Sequence, residues 1–229
     1  MKKLTVIIPV FNEDGTLPQL LQRVLAVPVD KQVLVVDDGS EPSARQWVPP
    51  ATDGTVQLIE HEHNRGKGAC IRTALPYATG DAVLIQDADL EYFPEDYPKL
   101  LSAFAADGVQ AVYGVRNLRL RSPLMRWGNL LLTRLTNLLF HSDLSDMETC
   151  YKLIDRRLLQ QLGIESQGFE VEAEITAKLL LSGVPIHQVP IRYQHRSDGK
   201  KLSALDGLPT ALTLLRYWRN GLGQKFTGG

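Results

Sequence analysis

Short runs of branched apolar residues alternate with helical spacing through the first half of this chain, and three of the runs end in acids. Leu4 to Ile8, closed by Pro9, is followed by Asn12-Glu13; Val33 to Val36 runs into Asp37-Asp38-Gly39-Ser40; Ala82 to Ile85 ends at Asp87-Ala88-Asp89. Further strands are expected at Val56 to Ile59 and Val109 to Val115. Between them, Leu17 to Val27 carries Leu17, Leu20, Leu21, Val24 and Leu25 at helical spacing. A glycine-rich turn, Asn64-Arg65-Gly66-Lys67-Gly68, opens a helix roughly over Ala69 to Ala78, and Pro94 starts another through Leu101 and Phe104. Strands that are apolar throughout are buried on both faces, the condition of a parallel sheet covered by helices. Such sheets bind ligands beyond the carboxyl ends of their strands. The three acid-bearing turns are therefore expected to gather on one rim.

The second half reads differently. Pro123 to Phe140 is expected to be a helix with Leu124, Trp127, Leu131, Leu135 and Leu138 on one face and Asn129, Thr133 and Asn137 opposite. Glu170 to Leu181 and Leu205 to Trp218 are further helices, and Ile186 to Tyr193 alternates like a strand. No linker, repeat or low-complexity stretch divides the chain, so residues 1–229 read as one α/β domain with helices on both faces of a mostly parallel central sheet. A content of 44% hydrophobic and 22% charged residues excludes a disordered or disulfide-scaffold protein. A formal net charge of -1 supplies no global field for nucleic acid, and none is expected as a partner. Cys70 and Cys150 lack metal-ligand spacing and read as buried thiols of a reducing compartment; the histidines form no ligand set either. No stretch reaches the ~18 uninterrupted apolar residues of a membrane span. The apolar run after Met1-Lys2-Lys3 is too short for a signal peptide. A cytoplasmic location is expected, with peripheral contact with the membrane face left open.

Asp87 and Asp89, two apart on an extended chain, point to one side and can grip an oxygen-loving cation, Mg or Mn, that bridges to phosphates. Asp37-Asp38 either caps a tight turn or accepts hydrogen bonds from a nucleobase or a ribose. The glycine turn with Lys67 either presents amides to an anion or only reverses the chain. It is not a Walker loop, and no GxGxxG follows the first strand. From Arg116 to Ser142 there are Arg116, Arg119, Arg121, Arg126 and Arg134 without an acid, interleaved with leucines and Trp127. That pattern suits phosphate oxygens or an anionic membrane surface. Arg192, Arg196, Lys200 and Lys201 form a second basic group.

Taken together these motifs are familiar. Val6-Ile7-Ile8-Pro9-Val10-Phe11-Asn12-Glu13, Val35-Val36-Asp37-Asp38-Gly39-Ser40, the glycine turn and Gln86-Asp87-Ala88-Asp89-Leu90-Glu91 resemble, in order, family 2 glycosyltransferases with the GT-A fold. Asp146-Met147-Glu148-Thr149-Cys150-Tyr151-Lys152, Phe169-Glu170-Val171-Glu172 and Val189-Pro190-Ile191-Arg192-Tyr193 resemble the polyprenyl-phosphate hexose synthases within it. The resemblance spans roughly residues 4 to 218. It implies a nucleotide-binding half of about 1–115 and an acceptor-binding half of about 116–229. By that resemblance Pro9, Phe11, Glu13 and Asp37 line the base and ribose pocket with Asp38 beside it; Lys67, in the glycine turn, is a candidate for binding the donor's anionic group. Asp87 and Asp89 hold the metal, with Glu91 near it. Arg116 and Arg126 meet the acceptor phosphate or the diphosphate, with Arg196 and Lys200 as later candidates, and Asp146 lies near the sugar. Gly114-Val115-Arg116 stands where the family usually has Gly-Ser-Arg.

The activity so implied is inverting, metal-dependent transfer of a hexose from a UDP- or GDP-linked donor to a polyprenyl phosphate. Its ionised oxygen needs no strong base. A saccharide or other hydroxyl acceptor is the alternative; Asp146 or Glu148 would then take the proton. An inactive nucleotide-sugar or lipid-binding module is the alternative from another class. The oligomeric state is not legible in the sequence.

Overall fold

The computed structural model describes residues 2–48, 55–118, 123–195 and 207–226. Seven strands build one sheet: β1 (Leu4–Val10), β2 (Lys31–Asp37), β3 (Val56–Glu60), β4 (Ala82–Ile85), β5 (Ala111–Arg116), β6 (Lys152–Asp155) and β7 (Ile186–Ile191). Their order is β3-β2-β1-β4-β6-β5-β7. β1 pairs in parallel with β2 on one side and β4 on the other, β2 with β3, and β5 with β7. Only β6 is reversed, antiparallel to both β4 and β5. The sheet is thus mostly parallel, as expected. The reversed strand was not expected, because Lys152 and Asp155 leave just Leu153-Ile154 as its apolar signal.

Every residue of Val33 to Val36 and Ala82 to Ile85 is fully buried, as is β1 from Val6 to Ile8. This is what apolar strands covered on both faces require. Pro9 lies inside β1 rather than closing it. Its missing amide is tolerated because β4 leaves the ladder at Ile7↔Ile85, so beyond that point β1 has only β2 as a partner. α1 (Leu17–Ala26) buries Leu17, Leu20, Leu21 and Val24, the face its spacing demands. α2 (Lys67–Ala74) contacts β1 and β2, and α3 (Tyr97–Phe104) contacts β5, β6 and β7. The chain lays down β1, β2 and β3 outward, then returns to the other side of β1 with β4. That reversal opens a crevice at the carboxyl ends of β1 and β4, the usual ligand position of such sheets.

The remaining helices are α4 (Pro123–Phe140), α5 (Arg156–Gln161), α6 (Val171–Leu181) and α7 (Gly207–Phe226). α4, α6 and α7 share a second apolar cluster of Leu132, Leu144, Met147, Ala173, Ala177, Leu214 and Tyr217. α4 presents an outcome that its hydrophobic pattern conceals. Asn129, Thr133 and Thr136 are buried, whereas Trp127, Leu131 and Leu138 are 64%, 68% and 74% exposed. The inward polar groups are satisfied: Asn129 serves Arg116 and Asp146, Thr133 Oγ1 accepts from the Met147 amide, and Thr136 donates to the Leu132 carbonyl. Hydrogen bonding removes the cost of burying them. Arg119, Arg121, Arg196, Lys200 and Lys201 lie outside the described residues.

Candidate active site

The end of β4 is aimed by a buried amide. Gln86 Oε1 accepts from the hydroxyls of Tyr97 at 2.7 Å and Tyr151 at 2.6 Å, and its Nε2 donates to the Asp87 carbonyl at 2.9 Å. The next turn carries Leu90 at φ 63°, a left-handed backbone that bulky residues rarely adopt. Asp89 Oδ1 accepts the Glu91 amide across that turn at 3.0 Å. Burial, then the charges of Asp87 and Glu91, push the Asp89 carboxyl up to about 7. No cation among the described residues pairs with Asp89. Asp87, by contrast, meets Lys67 Nζ at 2.6 Å, and the same ammonium lies 2.8 Å from Glu172 on α6. Burial opposes the charge of Lys67, but Asp87 with Glu172 outweighs it and holds the ammonium well above its ordinary pKa. Asp87 and Asp89 are hard oxygen donors crowded at one strand end with incomplete compensation, a donor set that fits Mg or Mn. Glu91 fits less well as a ligand. Its carboxylate accepts the Tyr193 hydroxyl and lies 3.3 Å from His195 Nδ1, tying the chain after β7 to this turn.

At the end of β2 the acids organise backbone. Asp37 accepts the amides of Ser40 at 2.9 Å and Ala44 at 2.8 Å. Asn12 at the end of β1 donates its amide to Ser40 Oγ at 2.9 Å, so the β1 and β2 turns are stitched together. Asp38 takes His61 Nδ1 at 2.7 Å and the amides of Arg65 at 2.9 Å and Gly66 at 2.7 Å. Burial works against its charge, yet these donors win and lower its pKa. Asp38, His61 and Cys70 offer ligand-type atoms within 4.8 Å of one another. Hydrogen bonds that Asp38 accepts from His61 and from the glycine turn tie this cluster together, and burial with Asp38 pushes the Cys70 thiol up. The sequence reading places Asp38 beside the donor; the structure shows it pinning the glycine turn.

That turn is closed from outside. A Cβ on Gly66 would stand 2.5 Å from the Gln167 carbonyl oxygen, and one on Gly68 2.3 Å from that of Ser166. The glycines therefore admit the backbone before α6, and the Ala69 amide is already bonded to the Gln167 carbonyl at 3.1 Å. The turn is not an open anion cradle. Gly68→Ala is expected to destabilise by about 1–3 kcal/mol, since backbone must shift; a urea midpoint equal to wild type contradicts the packing. Pro9, Phe11 and Glu13 lie partly exposed at the β1 end of the rim, with the Glu13 carboxylate accepting from Thr16 Oγ1 at 2.9 Å.

The expected phosphate-binding arginine is already engaged. Arg116, ending β5, donates through Nε to Asp146 Oδ2 at 2.7 Å and through a terminal nitrogen to Asp146 Oδ1 at 2.8 Å and Asn129 Oδ1 at 2.9 Å. Both partners are buried. Burial opposes the charge of Asp146, but Arg116 keeps its pKa low. The sequence reading gives Arg116 and Asp146 contacts with phosphate and sugar; the structure makes them a bidentate clamp joining β5, α4 and the segment before β6. Arg126 is exposed on the outer face of α4. Lys152 was missed altogether: fully buried, it donates to the carbonyls of Met147 at 2.8 Å and Thr149 at 2.6 Å and pairs with Glu172 at 2.6 Å. Burial, then Asp87, keep the thiol of Cys150 protonated in the same region.

Comparison with known proteins now settles the family. The family model described as glycosyl transferase family 2 matches residues 5–163. The chain belongs to glycosyl transferase family 2. The chain is 31% identical over 216 residues to an undecaprenyl-phosphate 4-deoxy-4-formamido-L-arabinose transferase of Pseudomonas aeruginosa (strain LESB58), covering 88% of the chain and 61% of the relative. The Pseudomonas fluorescens (strain SBW25) protein of that name is 36% identical over 131 residues, 54% of the chain and 38% of the relative. The chain thus spans less than two thirds of the length of these relatives. Among solved structures, glucosyl-3-phosphoglycerate synthase from Mycobacterium tuberculosis, bound to phosphoglyceric acid, superposes with TM-score 0.73 at 20% identity over 97% of this chain and 80% of that one. Mannosyl-3-phosphoglycerate synthase from Rubrobacter xylanophilus gives TM-score 0.72 at 20% identity over 99% and 75%. These likenesses establish the GT-A fold of the chain. The ends of β1, β2 and β4 form the rim at which open parallel sheets generally take ligands.

Proposed function

We propose that this glycosyltransferase moves a hexose from a nucleoside diphosphate sugar to an acceptor hydroxyl, with inversion and with help from a divalent cation. The observation that carries it is the meeting of three strand ends at one rim, with the carboxylate of Asp89 facing no cation among the described residues. Asp87 and Asp89 would hold the Mg or Mn ion, which supplies neutralisation of charge on the departing diphosphate. Pro9, Phe11, Glu13 and Asp37 border the side of the rim assigned to the nucleoside. Lys67 sets the position of Asp87. Solved relatives bound to Mn2+ and UDP-glucose support the donor class.

For the acceptor, the buried clamp of Arg116 with Asp146 favours a hydroxyl. A phosphate acceptor calls for an uncompensated cation, and this one is neutralised. The structural neighbours are named as synthases of glucosyl- and mannosyl-3-phosphoglycerate, small products without a lipid, which supports the same reading. A second reading, transfer to a polyprenyl phosphate, draws on the names of the curated relatives and on one surface. Trp127, Leu131 and Leu138 on α4 and Leu208, Leu212 and Leu215 on α7 are exposed, with Arg126 and Arg134 among them. Arginine mixed with large apolar residues suits an anionic lipid surface. No helix among the described residues is long and apolar enough to cross a membrane.

The test is a transfer assay with UDP-glucose or GDP-mannose and Mn, offered 3-phosphoglycerate, glycerol, or polyprenyl phosphate in anionic vesicles. Product on a hydroxyl supports the first reading. Product on polyprenyl phosphate alone, abolished by Leu131→Glu with Leu138→Glu, establishes the second. Absence of both donor binding and donor hydrolysis contradicts the proposal.

A further inference from the structure

Behind Asp87 runs a line of buried charge that the proposed reaction leaves without work. Lys67, the first residue of α2, places its Nζ 2.6 Å from Asp87 Oδ1 and 2.8 Å from Oε1 of Glu172, in the first turn of α6. The other oxygen of Glu172 accepts from Nζ of Lys152, the first residue of β6, at 2.6 Å. The side chains of Lys67 and Glu172 are 7% and 6% exposed and that of Lys152 is fully enclosed, so Asp87, at 27%, is the member of the line that opens to solvent. Lys152 gives its two remaining N–H groups to the carbonyls of Met147 and Thr149, and its ammonium cannot swing away from Glu172 without losing them. The backbone of Lys67 is held as well, because the carbonyls of Gln167 and Ser166 press on Gly66 and Gly68 to either side.

Ions buried this deeply call for a reason. Each has lost its hydration, and a buried pair seldom adds stability over apolar residues of the same shape. Burial opposes the charge of Glu172, but Lys152 and then Lys67 outweigh it and hold the carboxyl below its ordinary pKa. Glu172 is thus an anion serving two cations, and it takes a share of Lys67 that would otherwise fall wholly to Asp87. Two consequences reach the end of β4. The Lys67 ammonium is held from behind, so the place at which it meets Asp87 is fixed. Its charge is divided, so it does not neutralise Asp87 in full, and Asp87 keeps negative charge to offer beside Asp89.

We infer that Glu172 is a positioning residue of the cation site: by sharing Lys67 it fixes Asp87 and preserves the charge with which Asp87 and Asp89 hold a divalent ion. The inference rests on the reading of those two acids as cation ligands, and it makes the start of α6, about a hundred positions further along the chain, part of the site. Groups that stand behind a metal ligand and orient it commonly govern metal affinity. Glu172 does so at one remove, through an ammonium.

The test is a titration of the full chain with manganese chloride alone, free Mn being measured by electron paramagnetic resonance, beside a urea titration of each protein. Glu172→Gln leaves Lys67 to Asp87 alone and should weaken Mn binding by about tenfold, the scale on which groups behind a metal ligand act. It also strands Lys152 without that anion and should lower the urea midpoint. The double variant Glu172→Gln with Lys152→Met removes the stranded ammonium, so its midpoint should return toward wild type while Mn binding stays weak. A salt bridge with only a structural role does not separate the two readouts in this way. Where the single variant does not fold, the double variant carries the comparison. Mn affinity equal to wild type in Glu172→Gln, or Mn affinity that recovers together with the midpoint in the double variant, overturns the positioning role and leaves the cation site intact. A wild type that binds no Mn, alone or with UDP-glucose or GDP-mannose, overturns both.

Discussion

Asp89→Asn should reduce sugar transfer and donor hydrolysis by at least about 10²–10³-fold, the loss expected when a group that holds charge stabilisation at the leaving diphosphate is removed. The side chain keeps its size and its oxygen can still accept the Glu91 amide, so the turn should survive. What goes is the anionic charge next to Asp87. In the wild type three acids crowd this turn, and the structure answers only some of their charge: Lys67 meets Asp87, and Tyr193 with His195 meets Glu91. Because Asp89 is buried among like charges, replacing it by asparagine also relieves repulsion. Folding stability should hold or rise while activity falls, a combination that marks a functional site rather than a structural one. Kinetics beside a urea titration read both effects. Full activity in the variant, or its collapse into an unfolded chain, contradicts this role.

Asp146 should behave in the opposite way. Its carboxylate satisfies Arg116 through two short hydrogen bonds in a buried setting, with Asn129 completing the group. Asp146→Leu leaves the guanidinium buried and unpaired, and about 3–5 kcal/mol of stability should be lost. The double variant Asp146→Leu with Arg116→Met removes both charges and should recover much of that loss. Denaturant midpoints for the single and double variants measure the recovery. Equal destabilisation of the two would mean that the charges are not each other's partners. The family resemblance gives Arg116 an expected contact with phosphate and Asp146 a place near the sugar. The structure shows the two as a buried ion pair.

These outcomes show what a linear reading reaches. The sheet and the side-by-side ends of β1, β2 and β4 follow from local pattern: a short apolar run and then an acid-bearing turn, three times over. Parallel pairing then aligns those ends without further information. What stayed hidden depends on partners far apart in the chain. Lys67, Glu172 and Lys152 form one buried chain of charge, although 105 positions separate Lys67 from Glu172. The inward face of α4 was hidden for the same reason. Asn129 and Thr133 look like solvent-facing residues until Arg116 and the Met147 amide arrive from elsewhere. The glycine turn reads equally as an anion cradle or a packing device, and only the nearness of Ser166 and Gln167 decides. β6 is too short to announce itself.

The most direct test of the central claim is the binding of UDP and GDP sugars by calorimetry, with and without Mn, on the wild type and on Asp89→Asn. One nucleotide sugar should bind the wild type with Mn, a chelator should abolish the binding, and the variant should show none. Binding that ignores the chelator, or that survives unchanged in Asp89→Asn, would contradict it.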